Sequence, residues 1–486
     1  MSDTVVQSPQ VESDELAWTP AWRLRELFAS RKLSPVDYAE YLSARVERHG
    51  DLGAFITVFP EALLAEARAA EQAILRGGDL PLLHGIPVSI KDTLWTKGQR
   101  TTHGSKLYAD FIPDEDAVSV ERIRKAGGIV FAKANTPEFA MNRRSVNLVS
   151  REAVSPWDRQ RSSGGSSGGS GVATAAGLGP MSVGTDGGGS IRIPSSFNGV
   201  FGLYPTRGLT PDGYGDWDAP TSGAGPMTRD VRDAAMLLAV MAGPDKRDYF
   251  STKAPPPTDY LGQLDQGIKD VRVAWSGDLG RIEPAYPDVV NICHEAAKTF
   301  RAAGARYSEP SLKIWDPFDF LDPEPEYSVE ALGEELRQAN GTFADVFTWM
   351  RSLPPEKQQM LSIYIRDRSD RPTMLDYTMG IAPAVRNRSR DRLADLFDRY
   401  DLLVCPVIDR PAFIAAEPGI TPPVYTRYTF FVNVAGYCGA SVPAGFHQGL
   451  PVGLQIIGRP GEEALVLRAA RVLERERPWA QSRPVL

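Results

Sequence analysis

Residues 162–190 read SSGGSSGGSGVATAAGLGPMSVGTDGGGS, and this stretch decides the fold. The first Gly-Ser cluster continues into GVATAAGLG, whose small apolar residues predict a tightly packed helix, and MSVGT then predicts a buried strand. A flexible linker would be flanked by polar filler instead. A phosphate-binding loop would need GxxxxGK[ST], or a GxGxxG that opens a helix after a strand, and neither pattern is present. The stretch therefore predicts an ordered core segment that ends in a second glycine cluster, TDGGGS.

The TDGGGS cluster has the composition of an anion-binding loop beside a serine. Gly187, Gly188 and Gly189 allow a tight backbone turn that points successive N–H groups at one spot. Such a nest suits the oxyanion that develops when a nucleophile attacks a carbonyl. Ser190 follows at once, and we interpret it as the candidate nucleophile.

A serine hydroxyl is a weak nucleophile at neutral pH and needs a base. The five histidines include no HExxH pair and none beside a GxSxG elbow, which leaves a Ser-Lys pair as the available precedent. Lys91 ends the apolar strand predicted in LHGIPVSIKDT, where burial is expected to lower its pKa from about 10.4. Desolvation of a buried charge costs free energy, which favours a functional role for this lysine over a structural one.

Composition limits the classes of protein that the chain can belong to. The formal charge of −7 is spread over 486 residues with no basic block, so nucleic acid is not expected as a partner. No run approaches the roughly 18 apolar residues of a membrane-spanning helix, and the polar, acidic start is unlike a signal peptide. We therefore predict a cytoplasmic protein without membrane contact. Cys293, Cys405 and Cys438 are expected to be structural thiols, and the sequence predicts neither a metal nor a cofactor.

Short apolar runs alternate with helical stretches after residue 80, a pattern typical of a layered α/β domain with a buried, mostly parallel sheet. Apolar runs late in the chain have the same character as those before residue 200, which favours a single sheet fed from both halves. We therefore predict one domain over residues 1–486, with residues 1–15 disordered. Residues 312–391 are polar and studded with aromatic side chains, and we interpret them as a lid or substrate-shaping insertion.

Helix starts can be predicted at three points. Ser34 and Pro35 precede an amphipathic helix that closes near Gly50, and a similar segment begins at about Ala21. Thr228 is the N-cap candidate of a helix that Gly243 closes.

Five ordered motifs carry a family resemblance: LHGIPVSIKD, AKANTPEFA, SPWDRQRSSGGSSGGSGVATAAGLG, GTDGGGSIRIPSSFNGVFGLYPTRG and SVPAGFHQGLPVGLQIIGRPGEE. From about residue 20 to residue 475 the chain resembles the amidase signature family of serine hydrolases. The resemblance implies one α/β/α domain with a mixed sheet of about eleven strands, and a Ser-cis-Ser-Lys triad. By position, Ser190 is the nucleophile, Ser166 the cis serine and Lys91 the base. The family spacing of 24 residues between the two serines selects Ser166.

The resemblance also assigns supporting groups. It implies an oxyanion hole formed by the N–H groups of Gly187, Gly188, Gly189 and Ser190. Apart from the resemblance, Ser167 is expected to support the proton relay by hydrogen bonding. Asn135 is expected to satisfy backbone groups near the site, with a direct catalytic role as the alternative.

Two further sets of residues flank the predicted triad. Asp186 and Arg192 are expected to pair and brace the nucleophile loop, with substrate contact as the alternative. Ala140, Met141 and Asn142 follow at the position where family members line the acyl pocket, although Met141 fits a core position equally well.

Departures from the family pattern bear on the substrate. Gly187 stands where family members commonly have a branched residue, so the wall opposite the oxyanion hole should be more open, and GYCGAS at 436–441 replaces a small apolar stretch. Within the family, TDGGGS and the aromatic-rich insertion resemble the metagenomic urethanases. We therefore predict hydrolysis of the C–N or C–O bond of small carbamates and amides through an acyl-enzyme on Ser190.

Three alternatives stay open at this point. The first is an aryl-amide or cyclic-amide amidase without carbamate preference. The second is the amidase subunit of a tRNA-dependent amidotransferase, and the third is a binding protein with an inactive site. A homodimer also stays open.

Overall fold

The computed structural model describes residues 15–211, 221–280, 286–314, 349–363, 383–415 and 426–486, together with residues 282, 284, 365 and 366. The predicted disordered start lies outside the described residues except for Glu15, which opens the first helix. Most of the predicted insertion over 312–391 lies outside them as well.

One sheet of eleven strands crosses the described part of the chain in the order β1-β3-β2-β6-β8-β7-β12-β13-β11-β9-β10, and β4 and β5 form a separate pair. The strands are β1 Phe55–Val58, β2 Pro87–Lys91, β3 Ile129–Ala134, β4 Val154–Ser155, β5 Asp158–Ser162, β6 Met181–Thr185, β7 Phe201–Tyr204, β8 Ala224–Thr228, β9 Arg272–Trp275, β10 Arg306–Ser308, β11 Leu402–Pro406, β12 Cys438–His447 and β13 Leu450–Gly458.

Helices cover both faces of this sheet. The described helices are α1 Glu15–Trp18, α2 Ala21–Ala29, α3 Pro35–Arg48, α4 Pro60–Arg76, α5 Val118–Lys125, α6 Gly168–Ala175, α7 Arg192–Asn198, α8 Val231–Met241, α9 Tyr260–Gln263, α10 Pro287–Ala302, α11 Pro355–Gln358, α12 Pro383–Phe397, α13 Phe430–Ala435 and α14 Glu463–Glu476. The predicted α/β fold with a mixed sheet of about eleven strands is confirmed.

The expectation of a mostly parallel sheet is wrong. Within the described residues only four of its ten strand pairs are parallel: β2–β3, β2–β6, β9–β11 and β9–β10. One cause is local, because β12 and β13 are joined by Gln448 and Gly449 alone, and so short a connection can join only antiparallel strands. Both residues have positive φ, 50° and 80°, as a type I′ hairpin turn requires.

The helix starts illustrate how far local sequence signals reach. α3 begins where predicted, with the Ser34 side chain accepting hydrogen bonds from the N–H groups of Val36 and Asp37. Thr228, however, is the last residue of β8 and does not cap α8. Asp230 is the cap, because its carboxylate accepts the N–H of Asp233 at 3.0 Å.

Alternate residues of the central strands face two different cores. In β11, Leu402 and Val404 pack into a core with α8, α10 and α14, whereas Leu403 and Cys405 pack into a second core with α12 and α13. Successive side chains of a strand point to opposite faces of the sheet, and here both faces are buried. The three cysteines are buried and unbridged. None of the helices in the described ranges is both long and apolar enough to cross a bilayer.

Candidate active site

The sheet brings the predicted triad segments to one edge. β2 and β6 are parallel neighbours, with Ile90 beside Val183, so their carboxyl ends lie together. β2 ends at Lys91, and β6 runs directly into the loop that carries Ser190. Carboxyl ends of parallel strands are where open α/β sheets place ligands. α6, which follows the Ser166–Ser167 turn, packs against β6, and this arrangement brings the third segment to the same edge.

Lys91 is completely buried and points at the serine turn. Its Nζ donates to Ser166 Oγ at 2.6 Å and to Thr185 Oγ1 at 2.8 Å, with the Thr185 carbonyl at 3.4 Å. The Gly165–Ser166 peptide bond is cis. The structure therefore brings two of the three predicted triad residues into hydrogen-bond contact and adds Thr185, which sequence reasoning missed.

Ser167 connects the lysine partner to the nucleophile loop. Its hydroxyl donates to the Thr185 carbonyl at 3.0 Å and accepts the Thr185 N–H at 3.1 Å. Its own N–H donates to the Ser190 carbonyl at 3.1 Å. Ser167 thus fixes the end of β6 relative to Ser190, which is half-buried at the surface of the loop.

A buried ion pair braces that loop from behind. Arg192 Nε and Nη2 donate to the two Asp186 oxygens at 2.9 and 3.0 Å, and both side chains are fully buried. The arginine also donates to the Thr429 carbonyl, to Gln455 Oε1 and to Asn433 Oδ1. Because the guanidinium is fully buried among these groups, the geometry favours bracing over substrate contact.

The same network sets the charge of Asp186. Burial raises the pKa of this carboxyl, but the Arg192 charge and the hydrogen bonds from Arg192, Asn433 and the Gly189 N–H outweigh burial and lower the pKa to about 2. The carboxylate is therefore ionised at any pH near neutrality. A buried charge is tolerated when it is paired and fully hydrogen-bonded in this way.

The Asp186 carboxylate changes the predicted oxyanion hole. It accepts the N–H of Gly189 at 2.6 Å, of Ile191 at 3.1 Å and of Arg192 at 3.3 Å. Gly189 is therefore not a free donor in this structure, which corrects the four-donor hole expected from the resemblance. The N–H groups of Gly187, Gly188 and Ser190 donate to no acceptor within the described residues, and these are the donors that a ligand oxygen can meet.

Gly188 is held at its carbonyl, which accepts the Thr429 hydroxyl at 2.8 Å. Thr429 and Asn433 lie more than 230 residues from this loop, and no local signal in the sequence indicates them. Asn433 donates to the Asp186 side chain and to its carbonyl.

Gly187 and Gly189 differ sharply in the space that they leave for a side chain. Gly189 has φ +121°, and a Cβ there would overlap Thr429 Oγ1 and lie 2.8 Å from Ile193 Cδ1. Among the described residues, a Cβ at Gly187 would meet nothing closer than Ser222 Cβ at 3.8 Å. This room fits the open wall expected at Gly187, which stays a prediction.

This contrast gives a matched pair of variants. We expect Gly189→Ala to lower the free energy of unfolding by about 2–6 kcal/mol, through backbone strain and overpacking. Gly187→Ala is expected to change it by less than about 1 kcal/mol. Urea unfolding followed by tryptophan fluorescence measures both, and equal effects would show that the loop is not constrained as described.

Asn135 lies at the back of the site. Its side-chain amide donates to the carbonyls of Gly53 and Arg151, both at 2.8 Å, and its Oδ1 accepts from Asn147 at 2.7 Å. The side chain is buried and fully engaged with the protein.

The segment predicted to line the acyl pocket has mixed surroundings. Met141 is buried in a small apolar cluster, whereas Ala140 and Asn142 are half-buried. Asn142 Oδ1 accepts the Arg144 N–H at 3.1 Å. Of the two interpretations of Met141, the structure favours the core position.

A second buried lysine was missed by the sequence analysis. Lys133 Nζ donates to the Leu94 carbonyl at 2.6 Å, to Thr101 Oγ1 at 2.8 Å and to Thr96 Oγ1 at 2.9 Å. Burial lowers the pKa of Lys133 to about 8, although the charge of Asp92 opposes this. Its three donors meet three oxygens of the loop after β2, an arrangement that fits a structural cation.

A comparison with known protein families shows which family the chain belongs to. The amidase family model matches residues 37–467. The chain belongs to the amidase family. Members act on carbon–nitrogen bonds, and the enzyme class predicted from the sequence is thereby confirmed.

Individual relatives of this amidase differ in their substrates. A glutamyl-tRNA(Gln) amidotransferase subunit from Geobacter sp. (strain M21) is 34% identical over 94% of this chain and 96% of its own. The solved structure of 6-aminohexanoate cyclic dimer hydrolase with substrate shares 26% identity and a TM-score of 0.78, over 96% of this chain and 99% of that one. A bacterial aryl acylamidase, at 24% identity, TM-score 0.82 and coverage of 96% and 98%, shows the fold alone.

These names qualify two expectations. None of the reported relatives is named for carbamate cleavage, so the urethanase preference stays a prediction. The exclusion of nucleic acid is not supported, because the relative from Geobacter is one subunit of an enzyme whose name includes a tRNA.

Proposed function

We propose that this amidase hydrolyses small carboxamides through an acyl-enzyme on Ser190, with Ser166 as proton relay and Lys91 as base. One observation carries the proposal: the fully buried Lys91 amine contacts the Ser166 hydroxyl at 2.6 Å, at the sheet edge that the Ser190 loop also reaches. A buried amine that meets hydroxyl groups is arranged for proton transfer.

In the proposed first step Ser190 attacks the amide carbonyl. Its proton passes to Ser166, whose own proton passes to the neutral Lys91 amine, so that each hydroxyl is donor and acceptor in turn. Thr185 orients the lysine through the second hydrogen bond. The leaving amine takes the proton back along the same path, and water then attacks the acyl-enzyme.

The oxyanion formed in this step is proposed to lie against the N–H groups of Gly187, Gly188 and Ser190. Preorganised N–H donors stabilise such an oxyanion strongly, with roughly 3–4 kcal/mol lost when one donor is removed in comparable sites. The Asp186–Arg192 pair holds the loop in the required shape from inside the protein.

The proposed substrate class follows from one relative. One relative with a solved structure is named as a hydrolase of the 6-aminohexanoate cyclic dimer, a ring closed by amide bonds. Carbamate hydrolysis uses the same steps and would give a carbamoyl-serine in place of the acyl-serine. We therefore place amides first and keep carbamates as a prediction for the same assay.

A second candidate function is the amidase subunit of a glutamyl-tRNA amidotransferase. The observation in its favour is the 34% identity to the Geobacter protein over nearly the whole of both chains. In this alternative the substrate would be glutamine, and a partner chain would be required for full activity.

One panel separates these functions. The purified chain alone is assayed with 4′-nitroacetanilide, a p-nitrophenyl carbamate and L-glutamine. We expect the anilide to be turned over, and kcat/KM for glutamine to be at least about 100-fold lower because no partner chain is present. Glutamine as the preferred substrate would favour the second function, and a carbamate preferred about 100-fold would restore the original prediction. No turnover of any of them would contradict the proposal.

A further inference from the structure

Thr221 carries a buried hydroxyl group that has no hydrogen-bond partner among the described residues. The residue is 2% exposed, and its Oγ1 meets neither a donor nor an acceptor in that part of the chain. Burying an unpaired hydroxyl costs free energy, so such groups are rare in folded proteins and each one calls for an explanation. Beside a reaction site, an unpaired hydroxyl is a candidate for hydrogen bonding to the substrate.

The position of this hydroxyl relative to the oxyanion donors follows from Gly187. A Cβ placed on Gly187 would lie 3.8 Å from Thr221 Oγ1, which is an ordinary contact distance. Gly187 carries one of the three N–H groups that are proposed to meet the oxyanion, and Ser190 follows three residues later. Thr221 Oγ1 therefore lies at the edge of the space that a side chain at position 187 would occupy.

The backbone around Thr221 is tied to the nucleophile loop. The Thr221 carbonyl accepts the Tyr204 hydroxyl at 3.0 Å and the Asn433 side-chain amide at 3.2 Å. The same amide donates to the Asp186 carbonyl at 3.1 Å, and the Asp186 N–H donates to the Gly223 carbonyl at 3.0 Å. Since a β-branched side chain has few rotamers on a fixed backbone, the Thr221 hydroxyl stays close to this loop.

The proposed chemistry indicates which part of an amide would reach this space. The carbonyl oxygen lies against the N–H groups of the loop, and the leaving nitrogen must lie towards Ser166, which returns its proton. The remaining substituent of the carbonyl carbon is the first carbon of the acyl group. A hydroxyl or amino group on that carbon is only two bonds from the reacting carbon and would therefore lie within reach of Thr221.

We propose that Thr221 is a substrate-binding residue, and that Thr221 and Gly187 form a subsite for amides with a hydroxyl or amino group on the carbon next to the scissile carbonyl. The inference deepens the proposed function and rests on it. The glycine supplies the room, and the threonine hydroxyl pairs with the substituent as donor or acceptor. A branched side chain at position 187 would fill this room.

The activity test compares 4′-nitroacetanilide with its 2-hydroxy derivative, the glycolyl anilide. Because the added hydroxyl also changes the reactivity of the carbonyl, the measure is the ratio of the two kcat/KM values in each variant. Thr221→Val, which replaces the hydroxyl with a methyl group, should lower the preference for the glycolyl anilide about tenfold, mainly through KM. Thr221→Ser keeps the hydroxyl and should restore the wild-type ratio within about threefold.

A variant on the other side of the space gives a second test. Gly187→Val places a branched side chain next to Thr221 Oγ1, so the substituent of the glycolyl anilide loses its room. We expect the preference for the glycolyl anilide to fall at least about tenfold, as it does in Thr221→Val. An unchanged ratio in Gly187→Val would show that the substituent does not enter this space, and would overturn the subsite.

Unfolding by urea gives a readout that distinguishes a binding hydroxyl from a structural one. Removing an unpaired buried hydroxyl with little change of shape stabilises the fold, so Thr221→Val should raise the urea midpoint. Thr210 is the matched control, because it is also buried but its hydroxyl donates to the Ala224 carbonyl at 2.6 Å. Thr210→Val should lower the midpoint and leave the ratio of the two anilides unchanged.

Binding without turnover separates this inference from the proposed function. Calorimetric titration of Ser190→Ala with each anilide, with and without Thr221→Val, should show about tenfold weaker binding of the glycolyl anilide alone. If the wild-type chain hydrolyses neither anilide, the proposed function fails, yet this loss of affinity still supports the subsite.

Four results would overturn the subsite. The first is that neither anilide binds, and the second is that Thr221→Val leaves both the ratio and the affinities unchanged. The third is a lower urea midpoint in Thr221→Val, which would show that the hydroxyl is a structural group. The fourth is a failure of Thr221→Ser to restore the ratio, because the effect of valine would then come from a change of packing.

Discussion

Replacing Ser190 with alanine is expected to lower kcat for anilide hydrolysis by about 10⁴-fold or more, because the acyl-enzyme can no longer form. Lys91→Ala should have an effect of similar size, since the hydroxyl then loses its proton acceptor. The effects of substitutions within such a catalytic unit on kcat do not add. The double variant that combines Ser190→Ala with Lys91→Ala should therefore be no slower than either single variant. Steady-state hydrolysis and fluorophosphonate labelling measure the loss.

A nearby serine provides the control for this result. Ser163 lies in the same turn, but its hydroxyl donates to the Ala153 carbonyl at 2.7 Å, away from the lysine. Ser163→Ala should keep kcat within about tenfold of the wild type, whereas Ser166→Ala should not. A Lys91→Ala variant that retains most of its activity would refute the proposed base.

Replacing Asp186 with alanine is expected to lower the free energy of unfolding by about 3–5 kcal/mol, the range found when one partner of a buried ion pair is removed. The loss arises because the fully buried Arg192 guanidinium keeps its charge, and three backbone N–H groups of the nucleophile loop lose their acceptor. Arg192→Met should be similarly harmful. The double variant should cost less than the two single costs combined, because no uncompensated charge remains.

An exposed ion pair serves as the comparison for the buried Asp186–Arg192 pair. Glu15 and Arg483 also form a two-point ion pair, yet both side chains are substantially exposed, and Glu15→Ala should lower the free energy of unfolding far less than Asp186→Ala does. Urea unfolding of the four variants tests this ranking. A small effect of Asp186→Ala would mean that the buried pair does not hold the loop.

The acid dependence of unfolding tests the Asp186–Arg192 pair independently. The pKa of Asp186 is about 2 in the folded chain and about 3.8 in the unfolded chain. Ionisation of this carboxyl therefore stabilises the folded state. This contribution, about 2 kcal/mol, is complete above pH 4 and is lost as the pH falls through 4 towards 2. Asp186→Asn should remove this part of the acid dependence of the free energy of unfolding.

Local sequence signals predicted a large part of the fold. The Ser34 cap and the strand MSVGT depend on neighbouring residues, and each lies where its own segment indicates. The helix predicted in GVATAAGLG is also present, but it begins earlier, at Gly168, and ends at Ala175. The two-residue turn at Gln448–Gly449 was also readable, because a glycine in so short a connection is typical of a hairpin. The expectation of a mostly parallel sheet did not take this turn into account, which explains part of that error.

The sequence by itself determined the chemistry available at the site: a serine after three glycines, a lysine at a strand end and a second serine 24 residues before the first. Tertiary structure decided which groups are free to act. Arg192 meets Thr429, Asn433 and Gln455 across 237 to 263 residues, and Glu138 meets Ser362 across 224. Because a hydrogen bond depends on distance in space, only the folded chain shows that Asp186 occupies the Gly189 N–H, whereas the N–H groups of Gly187, Gly188 and Ser190 meet no acceptor in the described part of the chain.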